Sequence, residues 1–149
     1  ALHHEISIES AQQSMRFEKW TAGAELKKRL PDWRYIEGDG SSLDFSCDKS
    51  RVTLGQHSGF QTLNIELLMG FVRIILLGFD CGLQSDNGAR HWFGDHPKGV
   101  AKNSPYESWR QSIERAAEKI DLFESEIING SRFSTLECFE RRTIDKIYL

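Results

Sequence analysis

The sequence of 149 residues has few cysteines, no surplus of positive charge and no long hydrophobic run. Its three cysteines, Cys47, Cys81 and Cys138, are widely spaced, odd in number and form no CxxC pair, so neither a structural zinc site nor a disulfide framework is indicated. We expect buried or inert thiols in a reducing, cytoplasmic environment. The longest apolar run, around residues 74–77, is strand-sized and far below the ~20 residues that a membrane helix needs.

The charge balance disfavours a dedicated nucleic-acid surface. Lys and Arg total 19 against 22 Asp and Glu, so the net charge is −3, whereas duplex-DNA binders usually carry a basic surplus. A content of 39% hydrophobic and 28% charged residues is typical of a soluble globular protein. We predict a single domain over residues 1–149, with a helical and irregular part over 1–50 and an α/β core over 51–149. The chain begins with Ala1 instead of Met, as a processed protein or a fragment would.

The order of the periodic segments predicts an α/β fold. Strand-like runs over residues 51–55, 72–80 and 126–130 alternate with helical patterns, which is typical of a Rossmann-like three-layer domain with a short, mostly parallel sheet. The first helical pattern of this core places Phe60, Leu63, Leu67 and Leu68 on one side and ends at Gly70.

Helix-start signals predict the other helices. Ser104 is expected as an N-cap, with Pro105 in the first turn and Glu107 completing a capping box. A second S-x-x-E box at Ser134 predicts a final helix that reaches about residue 148. In the N-terminal part, residues 10–30 have helical composition and stop at a proline.

Two loops follow strands and therefore lie where α/β domains bind ligands. Ser58 and Gly59 stand at a predicted helix start, where free backbone N–H groups attract phosphate; a plain N-cap serine and a packing glycine fit equally well. The motif is neither a P-loop nor GxGxxG. Gly78 and Asp80 end the buried strand, and a carboxylate there is suited to a ribose hydroxyl or a metal, or to a simple turn.

The segment "RHWFGDHPKG" (residues 90–99) follows the second of these loops. His91 and His96 are candidate general bases near neutral pH, with Asp95 as an orienting partner. The same three residues with Asp80 could instead ligate a metal, although the spacing is not that of the helical HExxH motif. A third interpretation is a polar surface turn.

Three blocks in order resemble a bacterial sialyltransferase family that decorates lipooligosaccharide, and uncharacterised phage proteins with a "GFD…HWxGDHP" pattern. The blocks are "HSGFQTLNIELLMGFVRIILLGFD", "HWFGDHPK" and "EIINGSRFSTLECF". The resemblance covers residues 51–145. It implies a Rossmann-like fold that binds a CMP-sugar or similar nucleotide-sugar without metal or other cofactor, and, for a phage protein, a location in the cytoplasm of the bacterial host.

The resemblance also implies residue roles. His96 would be the base that deprotonates the acceptor hydroxyl, with His91 as a rival and Asp95 beside it. Residues expected to contact or shape the nucleotide site are Ser58, Gly59, Gly78, Asp80, Asn129 and Ser131. A "GNGPS"-like turn, which family members carry near their N-terminus, has no counterpart in this sequence.

The sequence therefore predicts a glycosyltransferase-like domain that binds a nucleotide-activated sugar. One alternative is a shortened, non-catalytic Rossmann-like module for partner binding or assembly, which the missing turn favours. Another is a metal-dependent phosphoesterase that uses Asp80 and the histidine segment. A sheet edge left open by a missing half would favour homo-oligomerisation.

Overall fold

The computed structural model describes residues 18–82 and 105–147. Its architecture is mixed α/β, with short parallel sheets and several helices, so the predicted α/β class is confirmed at this level. The described residues fall into two compact units, the first ending at Glu37 and the second beginning at Gly38. Within the described ranges, no helix combines the length and hydrophobicity required to cross a bilayer. The single domain and the open sheet edge stay predictions.

The first unit contains two short strands and one short helix. Strand β1 (Trp20–Thr21) pairs in parallel with β2 (Arg34–Tyr35), and helix α1 (Ala24–Arg29) lies between them in the chain. The guanidinium of Arg34 lies 5.5 Å from the centre of the Trp20 ring.

The helix predicted over residues 10–30 is confirmed only in part among the described residues, because Ala24–Arg29 form α1 whereas Trp20–Thr21 form β1. Residues 20 and 21 form β1, because their backbone pairs with β2. The Thr21 hydroxyl then accepts a hydrogen bond from the Gly23 N–H at 3.0 Å, and Gly23 is the extended N-cap of α1. Helical composition was outweighed here by a strand pairing that local sequence does not reveal.

The second unit is built on two sheets. Strands β3 (Glu37–Asp39) and β4 (Arg51–Thr53) form a two-stranded sheet. Strands β5 (Arg73–Leu76), β6 (Glu126–Asn129) and β7 (Glu140–Arg141) form a three-stranded parallel sheet in that order. The strands predicted after residues 51, 72 and 126 are therefore present, although β5 is shorter than the run that predicted it.

Helix α2 (Ser58–Leu68) follows β4 and buries the predicted apolar side. The helix ends just before Gly70, as predicted from the sequence. Gly70 has φ = +79°, and its N–H donates to Leu67 O at 3.0 Å. The N–H of Phe71 donates to Glu66 O at 3.3 Å, which completes a Schellman motif. The predicted N-cap Ser58 is wrong, because His57 caps the helix and Ser58 is its first residue.

Helix α3 (Tyr106–Ala117) connects toward β6 through a 3₁₀ turn at Ile120–Phe123. Its N-cap is Pro105, without a side-chain cap, and Ser104 lies outside the described residues. Glu107 binds the side chains of Arg110 and Gln111, each at 2.7 Å. These contacts take the place of the predicted capping box.

The core of the second unit lies between its helices and the three-stranded sheet. The rings of Phe45 and Phe60 stack with centroids 4.7 Å apart. The buried cluster draws on α2, α3, β5, β6 and the segment before β7; its members are Phe45, Phe60, Leu63, Leu67, Ile74, Leu76, Ile113, Ala116, Ile127, Leu136 and Phe139.

The helix predicted to start at Ser134 is wrong. Residues 134–139 are irregular, β7 follows, and only a short helix α4 (Ile144–Ile147) appears. The Ser134 hydroxyl donates to Phe79 O at 2.6 Å and accepts from Asn129 Nδ2 at 2.9 Å. The Ser134 hydroxyl is therefore bonded to Phe79 and Asn129 and does not cap a helix. The S-x-x-E motif instead helps to hold the segment after β6 against the loop after β5.

Candidate functional site

The turn between β4 and α2 is covered by helix α3. Gly55 and Gln56 both have positive φ, +51° and +70°. The Ser108 hydroxyl donates to the Gln56 side chain, and the Ser112 hydroxyl lies 3.4 Å from Gly55 O. This part of the predicted phosphate loop is thus packed against another helix.

His57 holds the start of α2. Its Nδ1 accepts from the Phe60 N–H at 3.2 Å, and its ring packs on Trp109 with centroids 5.3 Å apart. Burial lowers the pKa of the imidazole, so the neutral ring that can cap is favoured. Its Nε2 is buried and has no hydrogen-bond partner among the described residues.

Ser58 and Gly59 differ in their surroundings. Ser58 is exposed in the first turn of α2. A Cβ on Gly59 would lie 3.1 Å from His57 Nδ1 and 3.1 Å from the Phe79 ring. Gly59 therefore permits close packing against the loop after β5, which is the structural role considered for it from the sequence.

Gly78 and Asp80 lie on the loop after β5. Gly78 has φ = +76°, which favours glycine, and open space where a Cβ would stand. Asp80 is partly buried, and this burial raises the pKa of its carboxyl. Its backbone oxygen accepts from the Thr135 N–H at 2.9 Å. Within the described ranges its carboxylate receives no hydrogen bond.

Asn129 and Ser131 are buried at the end of β6 and bond within the chain. Asn129 Oδ1 accepts from the Ser131 N–H at 3.1 Å. The Ser131 hydroxyl accepts from the Phe79 N–H at 2.9 Å and lies 3.4 Å from Leu76 O. Their polar groups therefore tie β6 to the loop after β5.

The described site residues converge around Phe79. Its ring lies against Gly59, its N–H binds Ser131, and its carbonyl accepts from Ser134. The start of α2, the loop after β5 and the end of β6 thus meet at one place, as expected for the carboxyl edge of an α/β sheet.

The remaining predicted residues, His91, Asp95 and His96, lie outside the described residues, so their roles stay predictions. Across residues 18–82 and 105–147, no group of three His, Cys, Asp or Glu side chains is arranged to hold a metal ion. The cysteines were expected to be buried or inert; Cys47 and Cys138 are exposed and Cys81 is partly buried, so the expectation of burial does not hold for Cys47 and Cys138. Burial raises the pKa of the Cys81 thiol to about 11, so this thiol stays protonated near neutral pH.

A cleft beside this convergence was missed by sequence reasoning. It has a volume of about 550 Å³ and opens where β6 and β7 end; its lining residues are Asn129, Gly130, Ser131, Arg132, Arg141, Arg142, Thr143 and Ile144. The sequence of residues 140–146 by itself predicts a solvated helix face, whereas its first two residues form β7 and the helix begins only at Ile144. Arg132, Arg141 and Arg142 lie within a span of eleven residues after the strand predicted at residues 126–130. This clustering of arginines was the sequence signal that could have indicated the cleft.

Comparison of the chain with protein-family models, with curated proteins and with solved structures gives no match.

Proposed function

We propose that this chain binds a nucleotide-activated sugar at the carboxyl edge of its parallel sheet, in a Rossmann-like domain, and transfers the glycosyl group. The observation that carries the proposal is the convergence of three chain segments around Phe79, next to a cleft of about 550 Å³. Small-molecule pockets commonly have volumes of about 300–1,000 Å³ and lie at such sheet edges.

Backbone strain at this edge supports the same location. Gln56 and Cys81 are two of the three described non-glycine residues with positive φ, and they lie in the turn before α2 and the loop after β5. Such conformations cost about 1–3 kcal/mol and concentrate at ligand sites.

In this proposal the Asp80 carboxylate binds the ribose of the nucleotide. Its carboxylate is on the loop that follows β5, partly buried and without a hydrogen bond from any described residue. A carboxylate in that position is suited to accept hydrogen bonds from ribose hydroxyls. The histidine segment, which continues the chain beyond this loop, would supply His96 or His91 as the base that takes the proton of the acceptor hydroxyl.

Binding is tested by thermal unfolding of the full chain with CMP, UDP and the other nucleotides. A nucleotide present at about 100 times its Kd adds about 2.7 kcal/mol to the free energy of unfolding. We expect Asp80→Ala to remove most of the shift. Asp121→Asn, an exposed charge change in the 3₁₀ turn before β6, serves as the control. Absence of a shift with every nucleotide would contradict the proposal.

Transfer is tested by release of the free nucleotide from CMP-sugar and UDP-sugar donors. We expect His96→Ala to abolish release while nucleotide binding persists, and His91→Ala to do so if His91 is the base. Nucleotide binding without turnover of any donor would favour the second candidate.

The second candidate is a non-catalytic module with the same fold. It is favoured by the side chains of Asn129, Ser131 and Ser134, whose polar groups are already engaged within the chain. Groups bonded in this way stabilise a scaffold and contribute less to a ligand.

A further inference from the structure

The cleft between the ends of β6 and β7 has a fixed geometry. Asn129 and Arg141 are register partners in the parallel pair, so both strands end at the same level. The chain leaves β6 through Arg132 and leaves β7 through Arg142. Three guanidinium groups that are separated in sequence therefore line one concavity.

The three arginines differ in how their charges are compensated. Arg142 forms ion pairs with Glu126 at 3.0 Å and with Glu140 at 2.7 Å. Arg132 and Arg141 are exposed and form no ion pair with any described carboxylate. Two like charges at one cleft repel each other, and an anion placed between them would add two attractive interactions that outweigh this repulsion.

Arg132 and Arg141, which have no ion-pair partner among the described residues, each make a contact with a neighbouring part of the chain. The Arg132 guanidinium lies 4.8 Å from the centre of the Phe133 ring. Arg141 donates through one terminal nitrogen to Arg132 O at 3.1 Å and lies 3.4 Å from Ser131 O. The other guanidinium nitrogens of Arg141 make no hydrogen bond to a described residue. Some of its N–H donors therefore have no acceptor among the described residues.

The cleft also offers an apolar wall. Ile144 lines it and is 56% exposed, which is high for an isoleucine. A ligand that joins an anionic group to an uncharged body would contact both parts of the cleft. A nucleotide has this composition.

We propose that Arg132 and Arg141 bind the phosphate of a phosphate-ester ligand, with Ile144 against its uncharged body. The identity of the ligand as a nucleotide rests on the proposed function; the anion site itself does not. Guanidinium groups bind phosphate through paired N–H bonds, which a lysine cannot reproduce. The phosphate would thus lie at the β6–β7 ends and not at the start of α2.

The test measures the affinity of the full chain for CMP, cytidine and inorganic pyrophosphate by calorimetry. We expect cytidine to bind at least about tenfold more weakly than CMP, because it lacks the phosphate. Arg132→Gln and Arg141→Gln should each weaken CMP and pyrophosphate about tenfold or more. Arg141→Lys keeps the charge but loses the fork and should be intermediate. Affinity should fall as salt rises.

Arg115→Gln is the matched control, since it removes the same charge from an exposed position on α3 and should leave affinity unchanged. Denaturant unfolding of each variant separates loss of binding from loss of folding. Arg132→Gln is the safer substitution, because no described acceptor depends on the Arg132 side chain.

The outcomes distinguish the anion site from the proposed function. Equal CMP binding by wild type and both glutamine variants, or equal binding of cytidine and CMP, would overturn the anion site and leave the proposed function standing. Pyrophosphate binding that depends on these arginines, without binding of any nucleotide, would support the anion site and overturn the proposed function. Tighter binding of an oligonucleotide without a terminal phosphate would overturn the small-ligand assignment, and no binding by any probe would overturn both.

Discussion

His57 links the protonation of one imidazole to the start of a helix. Its Nδ1 accepts the Phe60 N–H, and burial lowers its pKa below the ordinary value. In the unfolded chain the imidazole has a pKa of about 6.5. Between the two pKa values the unfolded state binds more protons, so stability rises with pH in that window. The contribution is present above about pH 6.5 and is lost as pH falls through the folded pKa.

We predict that the wild-type chain loses stability from pH 8 to pH 5.5 more steeply than His57→Asn does. Asparagine can cap the helix and does not titrate. Urea unfolding of both proteins across this range measures the difference. Parallel pH profiles would contradict this, because they would show that the pKa of His57 is the same in the folded and unfolded states.

Two glycines with positive φ allow the cost of backbone strain to be distinguished from the cost of a steric clash. Gly70 has φ = +79° and open space around a built Cβ, so Gly70→Ala should cost about 1–2 kcal/mol from backbone strain alone. Gly55 has φ = +51°, and its Cβ would lie 2.1 Å from the Phe60 ring. Gly55→Ala should therefore cost more, with about 1–3 kcal/mol of overpacking added. Equal costs in denaturant unfolding would contradict this difference.

At the scale of elements, one buried amide joins three segments of the second unit. Asn64 of α2 accepts from the N–H groups of Thr53 in β4 at 2.9 Å and of Ser46 at 3.1 Å. Its Nδ2 donates to Ser46 O at 3.0 Å, and the side chain is fully buried. The position lies within an apolar helix face, where a sequence pattern predicts only a packed side chain.

We predict that Asn64→Leu destabilises the fold by at least about 2 kcal/mol, because one buried and two partly buried backbone groups lose their partner. Gln61→Ala on the same helix is the control: it removes one partly buried bond to Leu54 O and should cost about 1 kcal/mol. Chemical unfolding measures both. A leucine variant as stable as the control would show that water replaces the lost contacts.

The alternation of strand and helix from β4 to β6 was predictable at this scale, because hydrophobic periodicity is local. The segments 20–21 and 134–141 were not predictable in the same way. Thr21 lies in a strand because its backbone meets β2, and Ser134 bonds to a loop that is distant in sequence. Helical signals in both segments were overruled by partners far along the chain.

At the scale of the whole molecule, two isoleucines distinguish support of the sheet from lining of the cleft. Ile128 in β6 is fully buried, whereas Ile144 is 56% exposed at the cleft. We predict that Ile128→Ala lowers the free energy of unfolding by about 2–5 kcal/mol. Ile144→Ala should change it by less than about 0.5 kcal/mol while weakening CMP binding. Loss of stability in both variants would show that Ile144 supports the fold instead of a ligand.

The sequence by itself determined the α/β class, the apolar face of α2, its glycine stop and the region in which site residues were sought. These features depend on local spacing and on backbone conformation. Only the tertiary structure decided that Gly59 and Ser131 both contact Phe79, and that Arg132 and Arg141 line one cleft. The reason is that parallel strand pairing brings together residues that no local pattern relates, as when β6 and β7 align Asn129 with Arg141.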